Sequence, residues 1–264
     1  MSNIVVFFKY TYDPDEVRID PNTKQPIFEG VNKKINEFDK NALEEAVRLK
    51  ELLGGKIIAV TFTNDPEGKK AALEALARGA DEAYVIQDKA ADYGDPNITA
   101  YVLGNFVKNI IEDYKVILAG SVSVDNSTGL VPHKTAKILG IPSISYIIKI
   151  DEINDEKALV TRRIGSVTEK IEIKLPAIIG VEMEINTPRI PKLKDILKAK
   201  KKPLHEIPVN QFGISSEQLE NIKSLEIKEI LAPELKRKRI KIEDKPIEEM
   251  AKEFVEILRK EGVL

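Results

Sequence analysis

Through the first half of the chain, short apolar runs alternate with longer stretches whose apolar positions recur every three or four residues. NIVVFFKY (3–10) is an uninterrupted apolar run, as expected of a strand buried on both faces of a parallel sheet. KIIAVTF (56–62), EAYVI (82–86), KVILA (115–119) and ISYI (144–147) repeat the pattern as second to fifth strands. Between them, FDKNALEEAVRLKELLGG (38–55) sets Leu43, Ala46, Val47 and the run from Leu49 to Leu53 along one helical stripe, closed by Gly54-Gly55. Asp65-Pro66 and Asp95-Pro96 each place a capping side chain before a proline suited to the first helical turn. The first of these helices ends near Gly79, and the second aligns Val102, Phe106 and Ile110 on one face. A further helix follows from about Thr128 to Leu139. Residues 16–30, centred on Pro21-Asn22-Thr23, are more polar and read as a hairpin-like excursion.

This alternation predicts right-handed crossovers and a Rossmann-like α/β fold, with a mainly parallel sheet covered by helices on both faces. The expected strand order is 3-2-1-4-5. The winding direction then reverses between the first and fourth strands, where ligands of such sheets bind beyond the carboxyl ends. From Ile147 to Glu184 the chain alternates at period two, predicting an antiparallel extension. After Asn186 the texture is an extended tail: a proline-punctuated basic run, a polar loop-like stretch over 203–245, and an amphipathic helix over 246–264. The division expected is a nucleotide-binding domain over 1–186 and a partner-docking loop with a C-terminal arm over 187–264.

Composition narrows the chemistry. With 41 basic and 43 acidic side chains the net charge is −2, so there is no general attraction to nucleic acid or membrane surfaces. The absence of cysteine excludes disulfides, thiolate metal sites and cysteine nucleophiles, and two histidines do not make a histidine-rich metal centre. No apolar run is long enough to insert in a membrane, and the start MSNIVVFFKY lacks a basic leader, so a cytoplasmic protein is expected. No paired acid and base, nucleophile or metal cluster stands out, which argues against a self-contained hydrolase or transferase.

The candidate site is the loop that leaves the fourth strand. Gly120, Ser121, Val122, Ser123, Val124, Asp125, Asn126, Ser127 and Thr128 combine a glycine that permits close approach with small polar donors, ahead of a helix whose first N–H groups favour an anion. The pattern is neither GxxxxGK[ST] nor GxGxxG. A solvated loop in which Asp125 or Thr128 caps the helix is the alternative. Asn36, Glu37, Phe38 and Asp39 precede the first long helix, either as caps or as a second wall of the same crevice. Phe7 and Phe62 end the first two strands, as adenine-facing rings or as core, and Lys9 is a further candidate lining residue. His133 reads as a helix-surface residue beside the site and His205 as solvent-facing.

Taken in order, VVFFK, INEFDKNALEEAVRLKE, IIAVTF, ALEALARGADEAYVI, VILAGSVSVDNSTG, LGIPSISY, LPAIIGVE and NTPRIPKLKDILKAKKKP resemble the β subunit of electron-transfer flavoprotein over roughly residues 3–203. The resemblance implies an electron carrier rather than an enzyme. It implies a heterodimer with an α subunit that holds most of a redox FAD, and a β-subunit pocket holding AMP or, in bifurcating members, a second FAD. That pocket would use Phe7, the segment from Asn36 to Asp39, Phe62, and Gly120 to Thr128. The chain departs from the family pattern at Glu37, where proline is usual, and at Leu130–His133, where a glutamine is usual; DPDEVRIDP (13–21) resembles the corresponding stretch of bifurcating members but has Asp13 where they carry valine. AMP is preferred.

PKLKDILKAKKKP (191–203) admits three readings: a solvated face, a phosphate-gripping run, and a docking loop. No aromatic platform accompanies it, as single-strand binding would want. By resemblance it is the docking loop, with Leu193 entering an apolar pocket on an acyl-CoA dehydrogenase-like or other flavin partner while Lys198 and Lys201 steer encounter. The final helix is expected to pack on the α subunit. A stand-alone adenine-nucleotide sensor on the same fold is the competing function.

Overall fold

Each of the first four apolar runs forms its strand: β1 (Asn3–Phe7), β2 (Ile57–Thr63), β3 (Glu82–Gln87) and β4 (Tyr114–Gly120). The computed structural model describes residues 3–233 and 238–264. The four strands are parallel and lie in the order β3-β2-β1-β4, with Val6 flanked by Ala59 on one side and Leu118 on the other. The crossovers are α1 (Glu37–Leu53), α2 (Gly68–Ala77) and α3 (Pro96–Ile110), and α4 (Val131–Leu139) follows β4. Alternation along β1 divides the interior in two. Ile4 and Val6 join Leu43, Ala46, Ala72 and Leu76 of α1 and α2, while Val5 and Phe7 join Val102, Phe106 and Ala136 of α3 and α4. Burial on both faces explains the unbroken apolar runs.

Asp95 caps α3 as expected, accepting the Asn97 N–H at 2.7 Å with Pro96 in the first turn. The hairpin-like excursion is also present. Arg18–Ile19 pairs with Pro26–Ile27, and Tyr10–Tyr12 with Lys33–Ile35. This double loop returns the chain to the end of β1, where the Asn36 N–H donates to the Lys9 carbonyl at 2.9 Å.

Two expectations need correction. β5 (Ser143–Ile153), β6 (Lys157–Ile164) and β7 (Val167–Lys174) form the expected antiparallel meander, but β8 (Ala177–Val181) lies between β4 and β5, parallel to both. Its sequence, AIIGV, is buried at all five positions, so it needs a neighbour on each side and cover on each face rather than a half-solvated edge. The 3-2-1-4-5 order is therefore interrupted.

The stretch expected to be loop-like over 203–245 contains β9 (Leu204–Pro208), which extends the sheet in parallel beyond β3. The sheet reads β7-β6-β5-β8-β4-β1-β2-β3-β9. Before β9 lies the short helix α5 (Leu193–Ala199), and after it α6 (Ser216–Ile222). Ser215 and Gln218 form a reciprocal capping box at the start of α6, an S-x-x-Q signal present in the sequence. Val209, Phe212, Ile214 and Leu219 are buried in the α3 side of the core. Four apolar residues spread over eleven positions show no short-range period, which is why the stretch reads as loop.

The first compact unit runs to Ile230, and residues from Leu231 to Leu264 form a second. Residues 234–237, within the stretch read as loop-like, lie outside the described residues. In the second unit α7 (Ile247–Lys260) carries Glu248 and Glu249 in its first turn and Arg259 and Lys260 in its last, matching the helix dipole. No helix is long and apolar enough to cross a membrane among the described residues.

Candidate nucleotide site

Where β1 and β4 diverge at their carboxyl ends, a cleft opens with about 840 Å³ of space, including its mouth to solvent. Phe7, Phe8 and Lys9 come from the end of β1, Phe62 from β2, and Ala119 to Ser123 from the end of β4 and the loop beyond it. Asn126 and the run from Thr128 to Pro132 continue that wall, and Pro96, Thr99 and Leu103 of α3 face it.

The amino end of α1 shapes the loop. Asn36 is buried, and its amide donates to the Val122 carbonyl at 3.0 Å and accepts the Val124 N–H at 3.1 Å. Asp39, also buried, accepts the N–H of Gly120 and the N–H of Lys9, each at 2.8 Å. Neither side chain makes a capping bond to its own helix; both reach across to the two strand ends. Burial pushes the Asp39 carboxyl up to about 6, against the pull of those two N–H donors. Glycine is required at 120 because a Cβ there would lie 2.5 Å from the Phe38 Cβ and 2.6 Å from the Asp39 Oδ1.

Farther along, Lys9 Nζ pairs with Asp125 at 2.5 Å. Burial would raise Asp125, but the Lys9 charge together with hydrogen bonds from Lys9, Ser123 and Asn126 outweighs it, leaving the carboxyl below its usual range. Asp125 also accepts the Asn126 N–H, and Ser127 folds back on the Ser123 carbonyl through both its N–H and its hydroxyl. The helix starts at Val131 rather than near Thr128, so residues 128–130 stay in the loop, with Thr128 Oγ1 accepting the Leu130 N–H at 3.5 Å. Pro132 has no N–H to offer, so the first turn of α4 presents those of Val131 and His133. The Asp125 cap is thus replaced by an ion pair.

Ten of the residues singled out from sequence line the cleft: Phe7, Asn36, Asp39, Phe62, Gly120, Ser121, Val122, Ser123, Asn126 and Thr128. Five do not. Glu37 pairs with Lys34 and Lys40, Phe38 backs Gly120, and Val124, Asp125 and Ser127 hold the loop from behind. Lys9 joins the wall. Ala91, Gly94, Pro96, Thr99 and Leu103 were missed, although DYGDPNIT (92–99) follows the third strand and must cross towards the fourth. His133 bonds Ser143 outside the cleft, and His205 stacks on Tyr84 and bonds Glu82.

Leu193 is 72% exposed on α5, with Lys198 and Lys201 also exposed; the predicted docking loop is a short helix. Among the described residues no group of His, Asp or Glu side chains is placed to hold a metal. Chemically the cleft offers apolar walls, small hydroxyls and backbone N–H groups, and Lys9, the one cation lining it among the described residues, is already paired. It can hold an uncharged aromatic ring and an anion, and among the described residues it has no assembled acid–base pair.

A family model for the electron transfer flavoprotein domain matches residues 27–211. The chain is 37% identical over 218 residues to the electron transfer flavoprotein subunit beta of Thermoanaerobacterium thermosaccharolyticum, covering 82% of each chain. To the same-named subunit of Bacillus subtilis it is 35% identical over 262 residues, 98% of each. To subunit CarD of the caffeyl-CoA reductase-Etf complex of Acetobacterium woodii it is 34% identical over 214 residues, 81% of each. The matched span takes in the amino end of α1, the Gly120 loop and α5. The chain belongs to the electron transfer flavoprotein family, among its β subunits.

Proposed function

We propose that this chain is the β half of a heterodimeric electron carrier, closing over an FAD held mainly by an α subunit, and that its own cleft holds AMP. Bound FAD supplies the electron chemistry, and the protein's part is to place it and exclude water. The observation that carries the AMP assignment is the Gly120 loop, held open by Asn36 and Asp39 at the strand reversal point. Phe7, Phe62 and Leu103 supply surface for a purine, Ser123, Asn126 and Thr128 supply polar contacts, and the α4 amides suit the phosphate. With Lys9 committed to Asp125, the remaining donors that line the cleft among the described residues and would meet the anion are neutral.

Docking of flavin-dependent dehydrogenases falls to α5, through Leu193 with Lys198 and Lys201 around it. A second reading, bifurcation with a second FAD in the same cleft, draws on the resemblance of residues 13–21 to bifurcating members and on the 34% identity to a subunit of a reductase–Etf complex.

Co-expression with an α-like chain, followed by denaturation and counting of released nucleotides, tests the proposal. One FAD and one AMP per heterodimer is the expected result. Two FAD would move the cleft to the second reading. A colourless homodimer that binds adenylate unaided would replace the carrier by a nucleotide sensor.

A further inference from the structure

α1 buries polar side chains where a helix packed on a sheet would ordinarily bury apolar ones. Beyond Asn36 and Asp39, the residues Asn41, Glu44 and Glu45 are 4%, 8% and 6% exposed. Buried groups of this kind require partners, and all three find them in one segment. Asn41 Nδ2 donates to the carbonyls of Met183 and Asn186 and to Asn186 Oδ1 at 2.8–3.0 Å. Asn186 Nδ2 answers with bonds to the Asn41 carbonyl at 3.0 Å and to Glu45 Oε2 at 2.9 Å. Glu44 takes the Arg189 guanidinium in a two-pronged grip, Nε at 2.7 Å and Nη2 at 2.9 Å, and the Arg189 N–H at 3.0 Å. Arg78 of the turn after α2 donates to the Arg189 carbonyl at 2.9 Å.

Immediately after Arg189 the chain turns outward. Ile190 is 87% exposed, and Leu193, Ile196 and Leu197 follow on a helix whose one buried residue is Ala199. The far end is tied as well, by Lys202 Nζ donating to the carbonyls of Leu76 and Ala80. A short helix that packs on α2 and leaves Leu193, Ile196 and Leu197 exposed is thus held at both ends.

We propose that Asn41, Glu44 and Glu45 form a clamp that positions the α5 docking segment relative to the nucleotide cleft, with Glu44 as its principal positioning residue; this rests on α5 being the docking segment. The same helix that holds Gly120 through Asp39 holds Arg189 through Glu44, about 7.5 Å along its axis. Without the clamp, the segment leading into α5 would be less restrained, and each encounter with a partner would carry the cost of ordering it. Charge-assisted two-pronged bonds are the strong kind, and they fix orientation as well as distance.

The test uses the α–β complex carrying Glu44→Gln, with Arg189→Lys as a second variant should the first fold poorly. FAD and adenylate content should match the parent complex. Amide hydrogen exchange over residues 187–192 should quicken, and the partner concentration for half-maximal electron transfer should rise about tenfold, the equivalent of one charge-assisted hydrogen bond, with less change in the limiting rate. The reversed pair, Glu44→Arg with Arg189→Glu, should recover part of the loss. Unchanged exchange over 187–192 overturns the clamp. Quickened exchange with unchanged partner dependence overturns its role in positioning. Leu193→Ala, measured alongside, separates these from failure of the docking assignment, because in that case it too would leave partner dependence unaltered.

Discussion

Asp39 accepts the backbone N–H of Gly120 at 2.8 Å, joining residues 81 positions apart in the chain. The bond ties the start of α1 to the end of β4 and leaves no space for a side chain at 120. The cleft exists because these two ends are held in register while the strands diverge.

Gly120→Ala places its methyl against Phe38 and Asp39, and neither can retreat without moving α1. Overpacking of this kind costs about 1–3 kcal/mol. Denaturant unfolding should show that loss, and purified protein should come without adenylate. A variant of parental stability that still carries nucleotide would contradict the close packing described.

Asp39 itself should titrate near 6, raised by burial from its ordinary 3.8. The native state therefore keeps a proton that the unfolded chain has already released between about pH 4 and pH 6. Through that window the contribution of this group to stability falls as pH rises, and above it the ionised form stays at its least favourable. Glu44 behaves oppositely: burial would raise it, but Arg189 more than compensates and leaves it lowered. Its contribution holds above the ordinary glutamate range and is lost on acidification. Carboxyl-carbon NMR titration reads both, and a midpoint for Asp39 near 4 would refute the first.

Asn36→Ala removes a donor to Val122 and an acceptor for Val124 in one step. Leaving half-buried backbone groups unpaired costs at most about 1–3 kcal/mol each, the figure for fully buried ones. Hydrogen exchange should accelerate over 121–125, and adenylate affinity should fall. Asn36→Asp, which keeps the acceptor but not the donor, should lie between the two.

Leu193→Ala removes an exposed side chain and should leave stability within about 0.5 kcal/mol of the parent. Flavin content should be unchanged while electron delivery to or from a dehydrogenase partner slows. Equal turnover in both proteins would remove Leu193 from the docking surface.

The parallel strands and the switch-point loop were legible because their signals are local: unbroken apolar runs, the Asp95-Pro96 cap, and a glycine followed by small polar residues, whereas Asp65 does not cap α2, which starts at Gly68. β8 was misread although AIIGV is itself an unbroken run, because it follows directly on the alternating β7 and takes on that context. β9 and the buried residues after it were invisible for a different reason. Their apolar side chains are spaced by no helical or strand period and become core only against α3.

Sequence by itself determined the fold class, the position of the cleft and half of its wall, since backbone periodicity and turn chemistry act over a few residues. Tertiary structure decided what the polar residues of α1 do. Asn36 and Asp39 were open to reading as caps or as a second wall of the crevice, and no local signal marked Asn41, Glu44 and Glu45, until folding removed water from all five and left distant backbone and side-chain groups as their partners. Desolvation is a property of the assembled chain, so the roles of these side chains could be assigned only from it.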